Sequence, residues 1–151
     1  MNARTTTTGN KTVTATVLAL AFFFLVAGAA SALSKKELKR TDKNGPVTIT
    51  AVFLNPVEKN KDPATVRFEV KLDTHSVDLD QYRLEELSFL RFDDNRDIRS
   101  SGVTIEGSGH HKTTVLRFPG PVPENAGKML LIIKNVGGVP ERRLEWKLPL
   151  K

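Results

Sequence analysis

The sequence predicts an all-β protein, two antiparallel sheets packed as a sandwich, and two observations predict it. Apolar and polar residues alternate in several short runs. The clearest is ATVRFEVKL, where Val66, Phe68, Val70 and Leu72 point one way and Arg67, Glu69 and Lys71 the other. A period of two with one apolar face marks a half-buried strand with one wet side. Between these runs stand Gly, Pro, Asn and Asp in turn-forming clusters at short spacing. Of the 151 residues, 39% are hydrophobic and 26% charged, an ordinary globular balance that argues against disorder throughout.

The chain opens with a polar, Thr-rich segment carrying Arg4 and Lys11, then the apolar run VLALAFFFLVAGAA, then the small-residue triplet Ala30-Ser31-Ala32. A basic start, an apolar core and an A-x-A site read as a secretory leader over 1–32, cut after Ala32. An uncleaved membrane anchor is the competing reading, although a span needs about 20 apolar residues. Lys35, Lys36, Lys39, Arg40 and Lys43 follow the run, and positive charge prefers the cytoplasmic side. The complete leader pattern outweighs that, so the expected location is exported: secreted, periplasmic or at the outer face of a membrane. Any membrane contact would run through the N-terminal segment, if it stays uncleaved. Asn10-Lys11-Thr12 matches a glycosylation sequon but lies in the segment to be removed. The basic stretch SKKELKRTDKNG makes 33–45 a flexible spacer, since it offers little apolar surface to bury. The folded domain is expected over 46–151.

From Pro46 onward the elements follow in order. PVTITAVF is a strand with Val47, Ile49, Ala51 and Phe53 on one face. Asn55-Pro56 starts a turn, and Asn60-Lys61-Asp62-Pro63 continues a polar loop. The Ala64 to Leu72 strand runs into the acidic segment DTHSVDLD. Gln81 to Leu87 is ambiguous, with a helical turn as one reading. SFLRF is a strand closed by Asp93-Asp94-Asn95, and Val103 with Ile105 marks a short one. EGSGHHK is a Gly-rich connection. TTVLRF is stopped by Pro119-Gly120-Pro121. KMLLIIK is apolar on both faces and so central. The last strand puts Leu144, Trp146 and Leu148 inward and Arg143, Glu145 and Lys147 outward. About seven strands at this spacing, in a domain near the usual size of about 100 residues, predict an immunoglobulin-like antiparallel β-sandwich. Trp146 is expected in its core.

Several function classes are excluded or weakened. The chain has no cysteine, which removes disulfides, thiolate metal sites and cysteine nucleophiles. Its formal net charge of +6 is concentrated near the N-terminus, leaving the body near neutral. A nucleic-acid partner would need a basic, aromatic-rich folded face, so none is expected. Gly107-Ser108-Gly109 is not a nucleophile elbow, and neither a zincin motif nor a phosphate loop occurs. No enzyme is expected. A hydrolase using His75 as a base is a third, disfavoured reading.

Two connections hold all three histidines: His75 in DTHSVDLD, and His110 and His111 in GSGHHK. Strand ends are where scaffolds mount function, and imidazole with carboxylate suits copper or zinc. The candidate metal set is His75, His110 and His111, with Asp73, Asp78 and Asp80 assisting. Asp73 and His75 share a face if the strand continues, as do Asp78 and Asp80, whereas adjacent histidines in an extended chain face opposite ways. The competing reading is structural. Asp and Ser close turns, Asp78 or Asp80 caps the helical turn, and Gly107 and Gly109 supply positive φ in a hairpin.

The segments RFEVKLDTHSVDLD, SGHHKTTVLRF and GGVPERRLEWKL together resemble a group of small exported immunoglobulin-like β-sandwich domains of prokaryotes with no assigned activity. The resemblance spans Val47 to Leu148 and implies no catalytic residues. The leading expectation is therefore a non-catalytic binding or accessory domain of the cell envelope with a protein partner, using a loop end or an edge strand. The alternative is an envelope copper or zinc protein built on the His75 and His110/His111 connections.

Overall fold

The computed structural model describes Met1, residues 33–58 and residues 62–150 and has nine strands among them, most built on alternating apolar and polar residues. They are β1 (Lys39–Asp42), β2 (Val47–Phe53), β3 (Thr65–Thr74), β4 (Ser88–Arg91), β5 (Asp97–Arg99), β6 (Gly102–Ser108), β7 (His111–Pro119), β8 (Lys128–Val136) and β9 (Val139–Lys147). All pairings are antiparallel. One sheet has the order β1-β2-β3-β7-β6, the other β5-β4-β8-β9. With β2 as strand A, the orders are A-B-E-D and C-F-G of the immunoglobulin sandwich. Two strands are additional: β1 outside A, and the three-residue β5 beside C. The leader or anchor expected over 1–32 falls almost wholly, and the Asn60-Lys61 part of the polar loop wholly, outside the described residues. No helix among the described residues is long and apolar enough to cross a membrane.

The inner faces are those the alternation predicts. Val66, Phe68, Val70 and Leu72 of β3 and Leu116 and Phe118 of β7 are buried against Met129, Leu131, Ile133, Leu144 and Trp146 of the second sheet. Phe68 is at the centre. Its ring lies 5.0 Å from Trp146, 5.4 Å from Phe53 and 6.0 Å, edge-on, from Phe118. These are favourable tilted and edge-to-face separations. β8 is buried on both faces, as KMLLIIK predicts, because Leu130 and Ile132 are covered on the outer side too. The ambiguous Gln81–Leu87 stretch holds a helical turn, Leu84–Leu87, preceded by a 3-10 turn over Leu79–Gln81.

Two expectations are corrected. The stretch 33–45, expected as a flexible basic spacer, is partly built into the sandwich, since Leu38 is fully buried and Lys39–Asp42 is strand β1. The cause is long-range. The Trp146 indole N–H donates to Leu38 O at 2.7 Å, and Phe53 N–H donates to the same carbonyl at 3.2 Å. Arg142 is fully buried and its Nη1 reaches Asp42 Oδ1 at 2.7 Å. The Gly-rich connection EGSGHHK is mostly strand. β6 runs through Ser108 and β7 starts at His111, with Ser108 opposite His111 and only Gly109-His110 turning.

Candidate functional site

The two histidine-bearing connections meet at one end of the first sheet, because β3 and β7 are neighbours in register. Asp73 stands directly opposite His111. Even-numbered peptide groups of β7 face β3: Thr74 N–H donates to His110 O at 3.1 Å, and Gly120 N–H to Ala64 O at 2.8 Å. Asp73 and His111 are therefore a non-hydrogen-bonded pair, in which side chains come closer together. His111 Nδ1 lies 2.9 Å from Asp73 Oδ1, with both side chains more than half exposed. A carboxylate only accepts, so Nδ1 carries the proton and Nε2 is left as the lone-pair nitrogen of the neutral ring.

The remaining groups are occupied mainly with backbone. His110 Nδ1 donates to Val77 O at 3.2 Å. Both Asp80 oxygens lie 3.3 Å from Gly109 N–H, and Asp78 Oδ1 accepts from Asp80 N–H at 3.0 Å, capping the 3-10 turn. Thr74 Oγ1 donates to Pro46 O at 2.8 Å. Leu79 N–H donates to Gly109 O at 3.0 Å, which locks the acidic segment onto the hairpin. His75 is exposed. The continued strand on which a shared face for Asp73 and His75, and for Asp78 and Asp80, depended is not there: β3 ends at Thr74, and Asp78 is the cap of a 3-10 turn. Among the described residues no group of three or more His, Asp or Glu side chains is placed to hold a metal.

Lys112 was not visible as a site residue from the sequence. It is buried on the inner face of β7, and its Nζ donates to Leu79 O at 3.3 Å and Tyr82 O at 3.1 Å. The ammonium thus satisfies carbonyls of the segment leading into the second sheet. The only sequence signal is its parity with the inward Thr114 and Leu116.

Continuous with this end is β6, which pairs with β7 alone. The odd-numbered peptide groups of β7 face β6, as Ser101 N–H donating to Arg117 O at 2.7 Å shows. Gly102, Thr104, Glu106 and Ser108 stand opposite Arg117, Val115, Thr113 and His111, so their backbone groups are used in the ladder. The N–H and C=O of Val103 and Ile105 alternate with these and point to the open edge. Ile105, opposite the inward-facing Thr114, is 50% exposed, and apart from Met1 it is the one large hydrophobic side chain so exposed among the described residues. An edge strand with free peptide groups and an exposed apolar side chain is a template for strand addition. The opposite edge of this sheet differs. Arg40 of β1 donates from Nε to Glu145 O of β9 at 2.7 Å, tying β1 to the second sheet.

Comparison with protein-family models, with curated proteins and with solved structures gives no match for this chain.

Proposed function

We propose that this chain is an exported, non-catalytic binding domain of the cell envelope that takes up an extended protein segment along β6. The observation that carries the reading is the free edge at Val103 and Ile105, whose peptide groups and apolar side chain are presented together. Strand addition draws affinity from main-chain hydrogen bonds and specificity from alternate side chains. The non-catalytic part of the reading rests on the sequence, which carries neither a nucleophile elbow nor a zincin motif nor a phosphate loop. Export rests on the leader pattern of 1–32.

A photo-crosslinking amino acid at Ile105 of the full chain, in the cells that make it, tests the reading. An adduct from position 105, with none from Lys147 on β9, is expected. Equal yields, or no adduct from 105, would overturn it.

One observation favours a second reading, copper or zinc binding. His110 and His111 both use Nδ1 as donor, to Val77 O and Asp73, which leaves both Nε2 atoms free. A carboxylate on the far nitrogen is how proteins orient a ligating imidazole. Two donors are fewer than the three or four that zinc takes from a protein, so this reading ranks second. Calorimetric titration with zinc and copper, repeated on His110→Ala/His111→Ala, tests it. Binding at one equivalent that the double variant abolishes would support it, and unchanged heats would dismiss it.

A further inference from the structure

We propose that the segment added at β6 is β6 of a second copy, paired antiparallel about a two-fold axis through Thr104. This deepens the edge-strand reading above and rests on it. A two-fold antiparallel pairing sets one residue opposite its own counterpart, so the register has few choices. Gly107 has φ +80°, and a Cβ there would stand 2.6 Å from His111 O. The strand therefore departs from extended geometry after Glu106, and the usable edge is Gly102 to Glu106.

Centring on Thr104 uses that edge fully. Val103 stands opposite Ile105 of the second copy, and Ile105 opposite its Val103. All four carry outward-facing peptide groups, so both are hydrogen-bonded pairs. The same pairing covers the exposed Ile105 side chain with the second copy's Val103. Thr104 then faces Thr104 in a non-hydrogen-bonded pair, a favourable cross-strand match.

The charges agree with this register. Glu106 is the one charged residue of β6, and it falls opposite Gly102 of the second copy. Gly102 has no side chain and stands opposite Arg117 on the same outer face. Arg117 Nη1 lies 4.0 Å from the point where a Cβ on Gly102 would be, and its Nη2 donates to Thr104 Oγ1 at 3.0 Å. A guanidinium thus already overhangs the place where the incoming Glu106 arrives, and the symmetry makes two such pairs. Shifting the axis to Ile105 sets Glu106 opposite Thr104 and Gly107 opposite Val103, which loses the Arg117 pairing.

The sequence supplies a clean test, since it has no cysteine. A non-hydrogen-bonded pair has Cα atoms about 4.5 Å apart, inside the disulfide range of about 4.4–6.8 Å. The full chain with Thr104→Cys, oxidised in its own cells and run on a non-reducing gel, is expected to form a covalent dimer. Glu106→Cys, which faces glycine in this register, should form far less. Adding Glu106→Arg to Thr104→Cys should lower the dimer about tenfold through like-charge contact with Arg117. A further Arg117→Glu should restore it. Thr104→Cys giving no more dimer than Glu106→Cys, or no rescue by the charge swap, would overturn the proposal. If dimer is absent while position 105 crosslinks to a different protein, self-pairing fails and the edge reading stands. If neither product forms, both fail.

Discussion

Arg142 of β9 and Asp42 of β1 lie 100 positions apart in the chain and form an ion pair at 2.7 Å, with the arginine side chain fully buried. The same guanidinium donates from Nη2 to Val136 O at 3.1 Å. The pair fastens the first strand of one sheet to the last strand of the other, closing the side of the sandwich that β1 covers.

Removing one partner of a buried pair strands the other charge, which costs about 3–5 kcal/mol. Asp42→Asn is expected to fall in the lower part of that range, because Asp42 keeps some solvent contact. Arg142→Met added to Asp42→Asn should recover part of the loss, because no unpaired charge then remains inside. Denaturant unfolding of the two single variants and the double closes the cycle. Strictly additive losses would show that the pair is not coupled.

Asp97 gives a pH dependence. Its carboxyl is held below the ordinary aspartate range, first by its hydrogen bond from Arg91 and then by the charges of Arg91 and Lys134. Arg91 lies 2.7 Å away and Lys134 Nζ 3.7 Å. A pKa lowered by folding means that the unfolded chain binds the proton first as pH falls. The stabilisation is present above the unfolded value of about 3.9 and fades as pH falls through the lower folded value. The difference in stability between the parent chain and Asp97→Asn should be constant from pH 7 to 5 and shrink at more acidic pH. Denaturant midpoints across that series measure it, and a difference that grows in acid would contradict the sign.

Most of the sandwich was legible because its strands alternate strictly. Val66, Phe68, Val70 and Leu72 needed only a period of two, and β8 only its double apolar face. β1 was not legible. Lys39-Arg40-Thr41-Asp42 contains no apolar residue, and what makes it a strand is the ladder to β2 together with Trp146 and Arg142, 100 residues or more away. Arg142 itself reads as one more charge in ERRLEWK. At the candidate site the sequence supplied the histidines, and the register supplied their partners. That His111 meets Asp73 follows from the β3–β7 alignment. That His110 spends Nδ1 on Val77 O depends on a loop conformation no periodicity encodes. The free edge of β6 was also hidden, since strand order across a sheet is set by topology.

The hairpin that carries His110 should be sensitive to its glycines in a fixed order. Both have positive φ, +80° at Gly107 and +66° at Gly109. A Cβ on Gly107 collides with His111 O at 2.6 Å, whereas nothing lies within 4 Å of one on Gly109. Gly109→Ala is then penalised only for its backbone conformation, about 1–2 kcal/mol. Gly107→Ala adds a backbone clash and should cost more, about 2–3 kcal/mol. Thermal or denaturant unfolding of the two variants ranks them, and the reverse order would mean that the hairpin relaxes around Gly107.

The histidines that stand out in the sequence hold this end together less than Lys112 does. His110 and His111 are exposed, and their contacts are single hydrogen bonds to Val77 O and Asp73. An exposed pair of this kind contributes about 0–1 kcal/mol, so His110→Ala/His111→Ala should lower stability by little. Lys112 is 7% exposed, and its ammonium satisfies two carbonyls, Leu79 O and Tyr82 O, at the junction between the sheets. Lys112→Met keeps the apolar stem; Leu79 O still accepts from Tyr82 N–H at 3.1 Å, but Tyr82 O loses its donor, a cost of about 1–3 kcal/mol for the group left unsatisfied. Hydrogen exchange adds a local readout. The Leu79 and Tyr82 amides, bonded to Gly109 O and Leu79 O, should lose protection in Lys112→Met and largely keep it in the histidine double variant. The opposite pattern would move the structural weight of this end from the lysine to the histidines.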